Sequence, residues 1–412
     1  MPSSGGKVAR SMQARRGLIE RVRARATLVR DTNRPLVWMH APSVGEGLQA
    51  RPVAHALRAQ HPEVQLAYTF YSPSAARFAE SIGADITDYL PYDGASECDA
   101  MLDALKPSAL VFVKLDVWPV LVARAVARGI PVALLSATVA PRSSRLGAMS
   151  RMLLHDAYAA LRSVGAIDAP NGARLQQLGV RVSALRITGD TRFDQVWARA
   201  QSVDRASPLL TLLVSARPTL IAGSTWSSDE SVLCESWMAI RRACPTARLI
   251  IAPHEPNEAH VAQLATWANA QRLRTVRLSR LESSESTTDR DADVIIVDRV
   301  GVLGDLYAIG DAAFVGGGFH AAGLHSVIEP AAFGIPVAFG PRHTMSREAG
   351  LLLAAGGGAS ITTARALTEV ASQWLCDRKK REREGERARE VVRVELGATD
   401  RSVALLEGLL AL

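Results

Sequence analysis

The feature that most constrains this chain is a rhythm: short apolar runs alternate with stretches of helical periodicity, in two successive series. In the first series the apolar runs are LVWMH (36–40), VQLAYTF (64–70), ALVFVK (109–114), PVALLSA (131–137), SVGAI (163–167) and LRITGD (185–190). Helical patterns at 46–60, 72–83, 118–128, 144–161 and 170–178 lie among them. Residues 196–208 break the rhythm with Ser202, Asp204, Ser207 and Pro208. The second series has runs at 219–225, 247–253, 293–298, 311–317 and 335–340, with helices at 228–243, 256–270, near 326–333, 364–376 and 379–394, and a last one at 400–411. Runs that are apolar at nearly every position are strands buried on both faces, and strands alternating with helices form parallel sheets. The chain is therefore expected to be α/β, with two doubly wound halves joined near residue 200. A length of 412 residues suits two cores better than one.

Charge is concentrated at one end. Residues 1–30 hold Lys7, Arg10, Arg15, Arg16, Arg21, Arg23, Arg25 and Arg30 against Glu20 alone, which equals the whole net charge of +7. Such an arm suits an anionic membrane surface or nucleic acid, and a solvated helix face is the plainer reading. Val8, Met12, Leu18, Ile19 and Val22 give it a partial apolar stripe, as in an interfacial helix. No run is long and apolar enough to span a bilayer, and no apolar core follows the charged start as in a secretory signal, so a cytoplasmic protein is expected. Cys98, Cys234, Cys244 and Cys376 form no CxxC pair and read as thiols of a reducing compartment. No HExxH or cysteine–histidine cluster occurs, so neither a metal nor a cofactor is expected.

Polar clusters follow the strands, at the ends where doubly wound sheets bind ligands. Ser43-Val44-Gly45-Glu46 follows the first strand, and Thr188-Gly189-Asp190 the last of the first half. Gly223-Ser224-Thr225, Pro253-His254-Glu255-Pro256 and Gly316-Gly317-Gly318 follow strands of the second half. Glu46 reads either as a base at a strand end or as a carboxylate favoured by the positive end of a helix. Downstream of the glycines, His325-Ser326 opens a helix, and Ser326 and Glu329 have capping-box spacing. Glu329 then either caps its own helix or accepts hydrogen bonds from ribose hydroxyls, while the helix start suits a phosphate. There is no GxxxxGK[ST] loop and no clean GxGxxG fingerprint.

HAPSVGEG (40–47), TGDTRFD (188–194), AGSTWSSDE (222–230), APHEPNE (252–258), DRVGVLGDLYAIGDAAFVGG (298–317) and GGGFHAAGLHSVIEPAAFGIPVAFGP (316–341) together resemble the Kdo transferases of lipid A biosynthesis, over about residues 35 to 360. Kdo is 3-deoxy-D-manno-octulosonic acid. The resemblance implies a GT-B glycosyltransferase: two Rossmann-like domains facing across a cleft, with an inverting transfer of Kdo from CMP-Kdo to a lipid A precursor. The implied layout is a basic arm at 1–34, an acceptor-binding domain at 35–200, a nucleotide-sugar domain at 208–395, and a helix at 396–412 packing back on the first domain. Glu46 would be the general base, with Ser43 and Gly45 beside it and glycines on both sides admitting the acceptor. Gly223, Ser224 and Thr225 would line the nucleotide site, and Gly317, Gly318, His325, Ser326 and Glu329 would hold phosphate and ribose. His254 stands where relatives often carry a cation. Arg192 stands where many have lysine and would meet the donor's carboxylate or phosphate, or form a surface ion pair. The implied partners are CMP-Kdo, a lipid A precursor and the cytoplasmic face of an anionic inner membrane, with no nucleic acid.

Two departures stand out. Many relatives carry a glutamate-rich E-x-E-x-W-P segment, whereas this chain has Lys114-Leu115-Asp116-Val117-Trp118-Pro119. Many relatives also begin with an apolar anchor, which the basic arm is expected to replace. A GT-B enzyme using a UDP-sugar or another CMP-activated acid, and a non-catalytic membrane-surface scaffold, are the alternative readings.

Overall fold

Parallel pairing organises the whole of the computed structural model, which describes residues 5–283 and 291–410. Two seven-stranded sheets form, each with every recorded strand pair parallel. The first contains β1 (Leu36–His40), β2 (Gln65–Phe70), β3 (Ile86–Tyr89), β4 (Ala109–Val113), β5 (Val132–Ala137), β6 (Ser163–Ala166) and β7 (Leu185–Ile187), in the order β3-β2-β1-β4-β5-β6-β7. The second contains β8 (Thr219–Thr225), β9 (Arg248–Pro253), β10 (Thr275–Arg277), β11 (Val294–Ile296), β12 (Ala312–Val315), β13 (Val337–Phe339) and β14 (Gly358–Ser360), in the order β10-β11-β9-β8-β12-β13-β14. The direction of winding reverses between β1 and β4 in the first sheet and between β8 and β12 in the second. A crevice opens outside the carboxyl ends of the strands at each such point.

Both faces of each sheet are covered. In β1, Leu36 and Trp38 enter one apolar cluster, and Val37 and Met39 enter the other. The Trp38 indole N–H donates to Thr69 Oγ1 at 2.9 Å, so even this buried polar atom has its partner. Three strands were not expected from the sequence: β3, β10 and β14, each three or four residues long and at or near a sheet edge.

The chain divides into unit 1, Met1–Gln195 with Glu395–Leu412, and unit 2, Val196–Val394. The division falls inside the helix Thr191–Ser202, at the start of the 196–208 stretch. The C-terminal helix Ala398–Leu410 belongs to unit 1, where Val403 and Leu406 join Ala54 and Leu57 in one apolar cluster. Asp194 secures its start by accepting from Gly397 N at 2.7 Å and Thr399 N at 2.6 Å.

The basic arm is not a separate element. Helix Leu18–Val29 buries Leu18, Val22 and Ala26 against unit 1. Arg15 is 7 % exposed, and its guanidinium donates to Leu90 O at 2.9 Å and Tyr71 O at 3.0 Å while lying over the Tyr71 ring. Arg21 pairs with Asp88, and Arg30 donates to Leu105 O and Lys106 O. Arg16 and Arg23 stay exposed, with Met12 and Leu28. Residues 1–4 of the expected arm and residue 411 of the last expected helix lie outside the described residues. No described helix is long and apolar enough to cross a membrane.

Candidate functional site

In each unit, residues singled out in the sequence follow the carboxyl ends of strands of the sheet. In unit 1, the turn after β1 leads directly into the helix Val44–Gln60, so Glu46 lies in a helical first turn. Ser43 is the extended N-cap residue, but its hydroxyl donates to Glu46 Oε2 instead of capping the backbone. Glu46 Oε1 accepts from Lys114 Nζ at 2.9 Å. Lys114 follows β4, so the pair bridges the point where the winding reverses. Burial pushes the Glu46 carboxyl up, but the Ser43 hydroxyl and the Lys114 ammonium outweigh it and hold the group below the ordinary glutamate range. The Tyr68 hydroxyl is buried, with no hydrogen-bond partner. Burial first, and then the Glu46 charge, keep its phenol protonated far above the usual tyrosine range.

The glycines flanking Glu46 do different things. Gly45 is exposed, and a Cβ there would meet only Ser43 Oγ at 3.7 Å. Gly47 faces inward, and a Cβ there would collide with the Phe78 ring and sit 2.9 Å from the Tyr68 hydroxyl. Only Gly45 leaves open space for a second molecule.

Deeper in the crevice, His40 is fully buried, with Nδ1 3.0 Å from Thr69 O and Nε2 3.5 Å from Asp116 Oδ2. Asp116 also accepts from the Trp118 indole at 3.0 Å and lies 3.8 Å from Arg145. Arg192 is held by Asp190, with Nη2 2.6 Å from Oδ2 and Nε 2.9 Å from the same oxygen. Asp190 is 1 % exposed and takes a further bond from Gln49 Nε2 at 3.1 Å. Burial raises its carboxyl, and the Arg192 guanidinium more than reverses the effect. Arg192 is thus ion-paired with a buried carboxylate while its own side chain stays 39% exposed.

In unit 2 the crevice is built around rings and one carboxylate. Trp226, just past β8, stacks on His320 (4.1 Å between centroids, 8° between planes) and packs against His254 at 4.6 Å. His254 in turn packs on His325 at 4.4 Å. The Trp226 indole N–H donates to His325 Nε2 at 3.0 Å. An indole nitrogen only donates, so Nε2 is the acceptor and the neutral ring carries its proton on Nδ1. Burial, reinforced by His254 and His320 and opposed by Asp229, holds His325 below the ordinary histidine range. Asp229 is fully buried and accepts from Trp226 N at 2.9 Å, Gly317 N at 2.8 Å and Phe319 N at 3.0 Å. One carboxylate thus joins the turn after β8 to the glycine loop after β12.

Several expected contacts take a different form. Gly223 is glycine because a Cβ would overlap the Tyr307 hydroxyl. Thr225 is buried, with its hydroxyl donating to Glu230 Oε1 at 2.7 Å, and Glu230 Oε2 lies 2.7 Å from His260 Nε2. Ser224 is the residue of that triplet that keeps some exposure, and it adopts a left-handed φ of 53°. Gly317 and Gly318 are needed because Cβ atoms there would strike the backbone of Gly323 and Gly340, and the Gly317 N–H already belongs to Asp229. Ser326 does not open a helix: the segment Ile328–Ala332 starts after Val327. Burial raises Glu329 above the ordinary range, with Arg199 and Ser326 opposing. Trp226, Asp229, His320 and Tyr68 were not singled out by sequence reasoning, although AGSTWSSDE contains two of them. Among the described residues no group of three or more His, Cys, Asp or Glu is arranged to hold a metal.

Comparison with known proteins decides the family. Residues 11–195 match the family described as 3-deoxy-D-manno-octulosonic-acid transferase (kdotransferase). The 3-deoxy-D-manno-octulosonic acid transferase of Bordetella pertussis is 31% identical over 381 residues, covering 90% of this chain and 86% of the relative. The chain belongs to the Kdo transferase family. The Haemophilus influenzae transferase is 27% identical over 376 residues, with the same coverage of 90% and 86%. Membership makes the chain a glycosyltransferase. Among solved structures, the UDP-GlcNAc 2-epimerase from Neisseria meningitidis has a TM-score of 0.62 at 14% identity, covering 92% of this chain and all of that one. A glycosyltransferase from Rickettsia africae gives 0.56 at 10%, covering 92% and 99%. At such identities the likeness is one of fold: the GT-B architecture of two Rossmann-like domains.

Asp229→Ala would leave three N–H groups of the unit 2 crevice without their acceptor, at a cost of about 3 kcal/mol. The expected result is a lower urea midpoint for unit 2, with unit 1 unchanged. An unaltered midpoint would show that the carboxylate does not hold this loop.

Proposed function

We propose that this chain transfers Kdo from CMP-Kdo to a lipid A precursor with inversion at the anomeric carbon, and that Glu46 is the general base. The observation that carries this reading is the placement of Glu46: a carboxylate at the winding-reversal point of unit 1, its side chain 16% exposed, next to a glycine with open space above it. The acceptor hydroxyl would pass its proton to Glu46 while its oxygen bonds to the anomeric carbon. The bond from that carbon to the phosphate oxygen breaks, and CMP departs with the electron pair. A positioned base of this kind contributes roughly 10²–10⁴ in rate.

On unit 2, the imidazoles of His254, His320 and His325 supply groups suited to the phosphate, and Trp226 fixes their planes. Ser326 and Glu329 face ribose hydroxyls in this reading. Gly317 and Gly318 shape the loop. Arg192 neutralises buried Asp190 and, with its side chain 39% exposed, would meet the donor's carboxylate or phosphate. Glu46→Gln should abolish the Kdo-sized mass gain of a lipid A precursor incubated with CMP-Kdo while leaving CMP-induced thermal stabilisation intact. Full activity in this variant would remove Glu46 from the role. Stabilisation by UDP and not by CMP would point to a different donor.

The arm supports a second element of the proposal, peripheral contact with the anionic cytoplasmic face of the inner membrane. Arg16 and Arg23 are exposed alongside Met12 (59 %) and Leu28 (79 %). Basic residues near such a surface contribute about 1 kcal/mol each. The protein should co-sediment with phosphatidylglycerol vesicles at low salt, and replacing both arginines by alanine should weaken binding by about 2 kcal/mol. Equal sedimentation of wild type and variant would exclude this surface.

A further inference from the structure

The Glu46–Lys114 pair poses a chemical problem, because a carboxylate neutralised by an ammonium is a weak base. Lys114 Nζ is 2.9 Å from Oε1, and the Ser43 hydroxyl bonds to Oε2, so both oxygens are engaged. Two further facts suggest that this arrangement is built in. Lys114 adopts a φ of 70°, a left-handed conformation that costs any residue with a side chain. Its backbone is fixed there on both sides: Lys114 N donates to Leu135 O at 2.8 Å, and Thr138 N donates to Lys114 O at 3.2 Å. The strained turn aims the side chain from the end of β4 towards the end of β1.

The two partners differ in freedom. The Glu46 side chain is 16% exposed and fixed in a helical turn, whereas that of Lys114 is 46% exposed on a flexible four-carbon stem. Around them, Asp116 is engaged by His40, Trp118 and Arg145, and Tyr68 presents a protonated hydroxyl. No second carboxylate pairs with Lys114 among the described residues. Its ammonium can therefore leave only towards solvent or an incoming anion.

We propose that Lys114 is an acceptor-operated latch: it neutralises Glu46 in the empty site, then transfers to a phosphate ester of the arriving acceptor, which frees the carboxylate to take the hydroxyl proton. A phosphate, with more charge and more acceptor oxygens, competes well for an exposed ammonium whose pairing with Glu46 is weakened by solvent. Lys114 remains protonated throughout. The proton that moves goes from the acceptor hydroxyl to Glu46, as the new C–O bond forms and the bond to CMP breaks. Lys114 is thus a positioning residue that acts through Glu46. The inference rests on the reading of Glu46 as base and of a lipid A precursor as acceptor, and adds that the acceptor carries a phosphate ester.

The test is a cycle of two enzymes and two acceptors: wild type and Lys114→Met, each with a phosphorylated lipid A precursor and with the same lipid after enzymatic dephosphorylation. For the wild type, loss of the phosphate should reduce kcat by at least about tenfold, because the latch stays closed on the base. For Lys114→Met, kcat should be the same with both acceptors, while KM for the phosphorylated one rises. The pH profile gives an independent readout. Losing the cation removes an opposite charge that favours the carboxylate, so the acid limb of kcat/KM should move upward in Lys114→Met. Lys114→Arg keeps the charge and should keep both the phosphate dependence and the wild-type limb. An equal loss of kcat on dephosphorylation in wild type and Lys114→Met, or an acid limb that does not move, overturns the latch. Should Lys114→Met fail to fold, Lys114→Gln carries the same comparison. Undiminished activity of Glu46→Gln would instead overturn the underlying reading.

Discussion

Parallel strand pairing is the constraint on which everything else depends. Each parallel connection must cross over the sheet, so all carboxyl ends collect along one edge and helices cover both faces. Where the winding reverses, adjacent strands send their connections to opposite sides and leave a crevice between them. In unit 1 this happens between β1 and β4, and the residues just beyond those strands are Ser43, Glu46, Lys114 and Asp116. In unit 2 it happens between β8 and β12, followed by Trp226, Asp229, the glycine loop and His325. Neither group is contiguous in sequence. Asp229 and Gly317 are 88 positions apart, and pairing of β8 with β12 brings them together.

The two crevices are electrostatically different, and the difference fits a division of labour. That of unit 1 holds opposite charges already matched: Glu46 with Lys114, Asp190 with Arg192, and Asp116 near His40 and Arg145. Such a site favours proton movement and redistribution of charge. That of unit 2 presents stacked imidazoles beside the buried carboxylate of Asp229, which accepts from three backbone N–H groups. Ring N–H groups that can donate to an anion suit a nucleotide's phosphate. Arginine shows a similar split. Arg15 packs among tyrosines as a structural strut, and Arg16, its neighbour in sequence, points to solvent.

Legibility in the sequence followed burial. Strands such as β1, β4 and β9 are apolar at nearly every position because both faces are covered, and their runs stand out. Strands β3, β10 and β14 are short and only partly buried, so their composition resembles that of a loop. At the site, Glu46, His254 and His325 were legible as polar residues following strands. What remained hidden were relations between distant segments: the Lys114 ammonium on Glu46, the Trp226–His320 stack and the Asp229 bridge. Glycines are ambiguous in a consistent way. Gly47, Gly223, Gly317 and Gly318 are glycine because protein backbone or side chains crowd the missing Cβ, which a string of residues cannot distinguish from room for a ligand.

The most direct measurement of the central claim is the anomeric configuration of the sugar in the product, read by NMR on material made with CMP-Kdo. Direct displacement assisted by a single base predicts a linkage of configuration opposite to that of the donor, in every turnover. A product that retains the donor's configuration would require a covalent or shielded intermediate on the enzyme, and would contradict the role assigned to Glu46.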